Sequence, residues 1–189
     1  MIVTERLQLV PATVELAQAA LDGPPTLGAA LGAAVPATWP PEFLDPASLE
    51  FTLERLSEGP EQAGWWLHFV VLTYLNGRLL IGSAGYKGPP GPEGQVEIGY
   101  GIVRDQQRKG YASEAARGLL ARAFADPVVH TVIAETLPEL TGSIGVLNKC
   151  GFHLRGAGSE PGVIRFDLTR AEYLLRSGAP TPSGRSPAH

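Results

Sequence analysis

The stretch Gln95-Val-Glu-Ile-Gly-Tyr-Gly-Ile-Val-Arg-Asp-Gln-Gln-Arg-Lys-Gly-Tyr-Ala-Ser113 decides the reading of this chain. Gln95 to Val103 is rich in β-branched and aromatic residues and reads as a strand. A short polar loop follows. Residues 112–125 then carry the strongest helix pattern in the sequence. Ala112, Ala115, Ala116, Leu119, Leu120, Ala123 and Phe124 fall at i, i+3, i+4, i+7, i+8, i+11 and i+12. Where such a loop opens onto a helix, several backbone N–H groups lack intrahelical partners, and with the helix dipole they form an anion site. Gly110 lets the backbone approach a bulky group, Ala112 keeps the first turn open, and Arg108 and Lys109 add positive charge. Each feature suits a pyrophosphate. The P-loop pattern Gly-x4-Gly-Lys-Ser/Thr is absent, and so is Gly-x-Gly-x-x-Gly, of which Gly99 and Gly101 supply only the first half.

Outward from this stretch the pattern mixes strands and helices. Arg6 to Val10 alternates and predicts a first strand, and Thr13 is placed to cap a helix over Val14 to Leu21. Residues 23–45 hold too many Gly and Pro for a helix or strand and too few charges for a solvated tail, so a long functional loop is expected there. Asp45-Pro46 opens a helix to about Glu58. Trp65 to Leu75 and Arg78 to Tyr86 read as a hairpin turning at Asn76-Gly77. After the central helix come a strand at His130 to Thr136, a helix near Thr141 to Lys149, and strands near Phe152 and at Val163 to Leu168. Gly151 fits the left-handed position that ends the 141–149 helix, with Phe152 packing back on Leu147. Runs of strands before the central helix favour an α/β or α+β mixed sheet over a doubly wound parallel one.

The 189 residues suit one domain, and 44% hydrophobic residues allow a sizeable core. A net charge of −4 offers no basic surplus for phosphate-backbone binding, so no nucleic-acid partner is expected. No run is long and apolar enough for a membrane span, and the N-terminus lacks a signal-peptide apolar region. The single cysteine, Cys150, makes neither an internal disulfide nor a metal cluster. A cytoplasmic protein without membrane partner follows as the expectation. Residues 177–189 are Ser/Pro/Gly/Ala-rich and are expected to form a disordered tail behind a domain of residues 1–176.

Gln107-Arg-Lys-Gly-Tyr-Ala112 resembles the Q/R-x-x-G-x-G/A acyl-CoA signature of the GCN5-related N-acetyltransferases. Glu97-Ile-Gly-Tyr100, Gly110-Tyr-Ala-Ser-Glu-Ala115, Thr4-Glu-Arg-Leu-Gln-Leu9 and Ser143-Ile-Gly-Val-Leu-Asn-Lys-Cys-Gly-Phe152 look like the branch that modifies the N-termini of ribosomal proteins. The resemblance runs from about residue 3 to 175. It implies a central, largely antiparallel mixed sheet, splayed after its fourth strand, with helices on both faces. It also implies acetyl-CoA as co-substrate and no metal, and a homodimer is compatible with it. The pantetheine arm would lie against Gly101, Ile102 and Val103. The pyrophosphate would sit on Gln107, Arg108, Lys109, Gly110, Tyr111 and Ala112, with Ser143 beside the cofactor. Two positions depart from the family: Leu140 stands where an Asn often supports the cofactor, and Leu147 where many relatives have a Tyr general acid.

The implied reaction is direct attack of a primary amine, at a protein N-terminus or on a small molecule, on the acetyl thioester in a ternary complex. Glu97 is the candidate base, directly or through a water, because it shares a strand face with Gly99 and Gly101, which leave space beside it. Glu135 on the next strand is the runner-up. Glu114 reads as a first-turn acid favoured by the helix dipole. A backbone N–H near Ile102 or Val103 could receive the oxyanion. Trp39 and Phe43 fall where the family walls its acceptor pocket, although core packing explains them equally well. Two other readings stay open: a non-catalytic acyl-CoA-binding module on the same fold, and a nucleotide-binding module using the 106–112 loop.

Overall fold

The computed structural model describes residues 1–177. Eight strands form one sheet in the order β1-β2-β3-β4-β5-β6-β8-β7. These are β1 (Ile2–Val3), β2 (Leu7–Pro11), β3 (Leu67–Tyr74), β4 (Gly77–Tyr86), β5 (Gln95–Ile102), β6 (Thr131–Thr136), β7 (His153–Ala157) and β8 (Ile164–Thr169). Every neighbouring pair is antiparallel except β5 with β6. The helices are α1 (Val14–Asp22), α2 (Pro24–Leu31), α3 (Pro46–Ser57), α4 (Tyr111–Ala125), α5 (Thr141–Cys150) and α6 (Arg170–Ser177). The expected mixed sheet with helices on both faces is what the chain forms.

Two apolar clusters hold the layers together. One face of the sheet packs Ile98, Ile102, Val132, Ala134 and Leu168 against α4 and α5, through Ala115, Ala116, Leu119, Leu120, Ala123 and Leu147. The α4 stripe expected from the sequence is therefore the centre of the core. The other face packs Phe69, Val71 and Leu80 against Leu27 and Leu31 of α2 and Leu16 of α1. Local signals explain most boundaries. Thr13 Oγ1 accepts from the Leu16 N–H at 3.2 Å, and Asp45 Oδ1 from the Ser48 N–H at 2.8 Å, so both expected caps form. Gly151 ends α5 at φ +93° while the Phe152 N–H reaches the Leu147 carbonyl at 3.1 Å.

Some expectations fail for identifiable reasons. Residues 24–31 are helical, not loop: Pro24 and Pro25 occupy the first turn, where a missing N–H costs nothing, and Gly32 closes the helix at φ +58°. Burial of Leu27 and Leu31 outweighs the weak helix propensity of this segment. The hairpin forms, but Tyr74 pairs with Gly77, so the turn is Leu75-Asn76. Neither residue has the positive φ that an Asn-Gly turn would use. The splay follows the fifth strand because β1 adds a short one at the N-terminus. Gly118 admits β1 onto α4; a Cβ there would stand 3.1 Å from Ile2 Cγ2 and Thr4 Cγ2. Apart from Ser177, the expected tail lies outside the described residues.

Candidate active site

Strand β5 positions the site. The Lys87 N–H donates to the Glu97 carbonyl and the Val103 N–H to the Ile81 carbonyl, so odd-numbered residues of β5 direct their backbone groups to β4. Even-numbered residues direct theirs to β6. Pairing with β6, however, covers only Gln95, Val96 and Glu97, whereas pairing with β4 continues to Ile102. Beyond Glu97 the sheet parts. The N–H and C=O of Tyr100 and the N–H of Ile102 consequently face a gap between β5 and β6. The Ile102 carbonyl accepts from Gln107 Nε2 at 2.9 Å, which closes the gap at its far end. Of the two backbone donors expected for an oxyanion, Val103 is already bonded to β4, and Ile102 is the one that faces the gap.

The turn after β5 leads straight onto α4. Residues Arg104–Gln106 form a 3-10 turn, then Arg108 takes φ +62° and Gly110 φ +87°. Left-handed residues alternating with Lys109 gather successive N–H groups on one side, the backbone arrangement that cradles anions. No side chain caps α4, and its first intrahelical bond is from the Glu114 N–H to the Gly110 carbonyl. The N–H groups of Tyr111, Ala112 and Ser113 thus have no helical partner. Arg108 is exposed, while Lys109 Nζ turns back to the Asp105 carbonyl and Gln106 Oε1, each at 3.0 Å. The backbone, with Arg108 and Arg104 beside it, is the positive element here. A diphosphate fits it: the donors are free and Gly110 offers no Cβ to block them.

The face of β5 away from α4 carries Glu97, Gly99 and Gly101. A Cβ on Gly99 would meet nothing within 4 Å, so a trough lies open there. At Gly101 it is bounded by Pro41 Cβ and the Glu42 carbonyl, both 3.3 Å from where a Cβ would stand. Glu97 forms an ion pair with Lys87 across the β4–β5 pair. Glu135, on β6, is fully engaged instead. Its carboxylate accepts from the Ser159 N–H at 2.9 Å, the Ser159 hydroxyl at 2.6 Å and Arg165 Nε at 2.8 Å. Burial works to raise its pKa, but these hydrogen bonds and the Arg165 charge outweigh it and hold the carboxyl below its ordinary range.

The 33–45 segment arches over the end of this trough. A pocket of about 410 Å³ lies between Thr38, Pro40, Pro41 and Glu42 on one side and Ile102, Arg104 and Gln107 on the other. Thr38 Oγ1 donates to Asp105 Oδ1 at 2.5 Å, so the segment also touches the turn before α4. Trp39 is half-buried with its ring 6.2 Å from that of Phe69, while Phe43 is exposed with φ +67°. Of the two aromatics expected at the acceptor wall or in the core, Trp39 packs against the apolar clusters and Phe43 faces solvent.

Two features had no signal in the sequence. Tyr100 reaches from β5 across to α5, where its hydroxyl donates to the Ser143 carbonyl at 3.2 Å, and burial pushes its pKa up to about 12. Ser143 Oγ lies 3.4 Å from the same hydroxyl. Leu147, 1% exposed, is core. Glu114 is also more than a dipole partner: it is nearly buried and holds Thr4 and Arg6. The pairing spans over a hundred residues, so no local pattern reports it.

A sheet that parts beside a helix start rich in free N–H groups can hold a long, phosphate-bearing ligand across its middle. The chain belongs to the acetyltransferase (GNAT) domain family, whose model matches residues 6–153. It is 33% identical over 81 residues to the uncharacterized N-acetyltransferase YjdG of Bacillus subtilis, covering 43% of this chain and 48% of the relative. The matched stretches span about half the length of such curated relatives. A putative ribosomal-protein-serine acetyltransferase from Vibrio cholerae has a similar structure, with TM-score 0.61, 21% identity and coverage of 89% of this chain and 96% of that one. The aminoglycoside acetyltransferase AAC(6')-Ib in complex with coenzyme A superposes with TM-score 0.59 at 20% identity, covering 92% and 99%. At these identities the structural likeness concerns the fold. No helix among the described residues is long and apolar enough to cross a membrane, and no group of three or more metal-ligating residues occurs among them.

Proposed function

We propose that this chain is an acetyl-CoA-dependent N-acetyltransferase that moves the acetyl group to a primary amine by direct attack. The observation that carries the reading is the alignment of two open backbone arrays: the Tyr100 and Ile102 groups facing the β5–β6 gap, and the free N–H groups of residues 108–113 at its end. Together they match a ligand with an amide-bearing arm and a diphosphate. Family membership and the coenzyme A complex of AAC(6')-Ib support the same ligand.

In this reading the Ile102 N–H polarises the thioester carbonyl and stabilises the oxyanion as the amine attacks. The amine approaches from the trough over Gly99. Glu97 takes the ammonium proton, directly or through a water, once Lys87, whose side chain is largely exposed, swings aside from the ion pair. Tyr111 and Ser143 border the cofactor, and Phe43 stands at the rim on the acceptor side. A protein N-terminus fits better than a lysine, because an α-amine with pKa near 8 is already partly neutral whereas a lysine near 10.4 is not. Structural neighbours named as a putative ribosomal-protein-serine acetyltransferase and as an aminoglycoside acetyltransferase make a ribosomal-protein peptide and an aminoglycoside the first acceptors to assay. The test is release of CoA thiol from acetyl-CoA with a panel of peptides and small amines. Amine-dependent release that falls in Glu97→Gln, with CoA affinity retained, upholds the reading. CoA binding without transfer to any amine would instead indicate a binding module.

A further inference from the structure

The bend between β1 and β2 carries a group that acts on the cofactor turn from behind. Glu114 lies in the first turn of α4, where a carboxylate would repel a diphosphate docked on the same N–H groups. Its Oε1 accepts from the Thr4 hydroxyl at 2.6 Å and from the Arg6 N–H at 2.8 Å. Its Oε2 accepts from Arg6 Nε at 2.7 Å and faces Arg6 Nη2 at 2.7 Å, a two-pronged ion pair. The same guanidinium donates from Nη1 to the Lys109 carbonyl at 3.2 Å and lies 4.5 Å over the Tyr111 ring. Arg6 thus touches the residue before Gly110, the residue after it and the acid one turn on.

We propose that Arg6 is a positioning residue for acetyl-CoA, cancelling the Glu114 charge beside the diphosphate and holding the Lys109 peptide so that the 108–113 N–H groups converge. The proposal rests on the acetyl-CoA reading above. Arg6 does not need to touch the ligand, because all of its nitrogens already serve Glu114 and Lys109. Its effect is on affinity, and the chemistry on the far side of β5 should not sense it.

The experiment uses the full chain, with coenzyme A as calorimetric probe and acetyl-CoA in kinetics. Arg6→Gln should weaken coenzyme A on the order of tenfold and raise the acetyl-CoA KM similarly, with kcat at saturation retained. The defect should shrink as salt rises, because part of it comes from repulsion between Glu114 and the diphosphate. Arg6→Lys, which keeps the charge, should retain most of the affinity, and Arg6→Gln with Glu114→Gln should regain the part lost to repulsion. A folded Arg6→Gln protein with unchanged affinity overturns the proposal, as does a defect independent of salt that the double variant does not relieve. Hydrogen exchange without ligand separates this from failure of the acetyl-CoA reading. If the unaltered chain binds no coenzyme A, that reading falls, and exchange at the Gln106, Gln107 and Glu114 amides then decides the positioning: faster in Arg6→Gln upholds it, unchanged overturns it.

Discussion

Replacing Gly110 by Val probes the anion site at its most constrained point. Gly110 sits at φ +87°, and a left-handed conformation costs an L-residue about 1–2 kcal/mol. A Cβ there would stand 3.4 Å from Arg6 Nη2, so the added methyl groups of Val crowd the guanidinium that pairs with Glu114. The variant has two ways out. Keeping the turn lowers stability by the strain, which at about 2–4 °C per kcal/mol for a domain of this size lowers Tm by roughly 2–8 °C. Relaxing the turn rotates the Lys109–Gly110 peptide and withdraws a donor from the phosphate. A hydrogen bond to a charged group is worth roughly 1.5–3 kcal/mol, so coenzyme A affinity should fall by about ten- to a hundredfold. A thermal melt beside calorimetry reads both. A folded Gly110→Val protein with unchanged Tm and unchanged coenzyme A affinity would refute the reasoning.

Glu97→Gln should lower turnover and shift the pH–rate profile with little change in coenzyme A affinity; an unchanged profile in the steady state would remove Glu97 as base. Trp39→Ala should cost about 2–4 kcal/mol of stability, since Trp39 packs on Phe69 between both apolar clusters, and should leave acceptor KM near normal. A raised acceptor KM in a variant of unchanged Tm would show that Trp39 walls the acceptor instead. His68 is 1% exposed, and burial, reinforced by the Arg122 charge, holds its pKa down to about 4 against the Trp66 carbonyl contact. Unfolding returns it to about 6.5, so the unfolded chain binds the extra proton between these values. Stability should therefore be full above pH 6.5 and fall toward pH 4 by roughly 3 kcal/mol, and denaturant titrations of His68→Gln should lose that pH dependence.

The parts of the fold legible in the sequence are those set by local rules. The α4 stripe, the Thr13 and Asp45 caps and the Gly151 ending each depend on residues a few positions apart, and each forms. Helix α2 was hidden because its propensity is poor and only tertiary burial of Leu27 and Leu31 supports it. The turn proposed to hold the diphosphate was visible because its glycine and basic residues are neighbours in the sequence. The surroundings that give it meaning were not. The parting of β6 from β5 came only through the family resemblance, and that Tyr100 bridges to α5 and that Glu114 is claimed by Thr4 and Arg6 depend on residues far apart in the chain. Lys87 and Glu97 are closer in sequence, but their pairing follows from the β4–β5 register, which no motif states.

The most direct test of the account is residue-resolved amide exchange with and without coenzyme A. The account predicts slowed exchange at Tyr100, Ile102 and the amides of residues 108–113, with Val103 unaffected because its N–H is already bonded to Ile81. Binding that leaves Tyr100, Ile102 and the 108–113 turn unprotected, or that protects the groove between the N-terminal strands and the back of α4 instead, would contradict it.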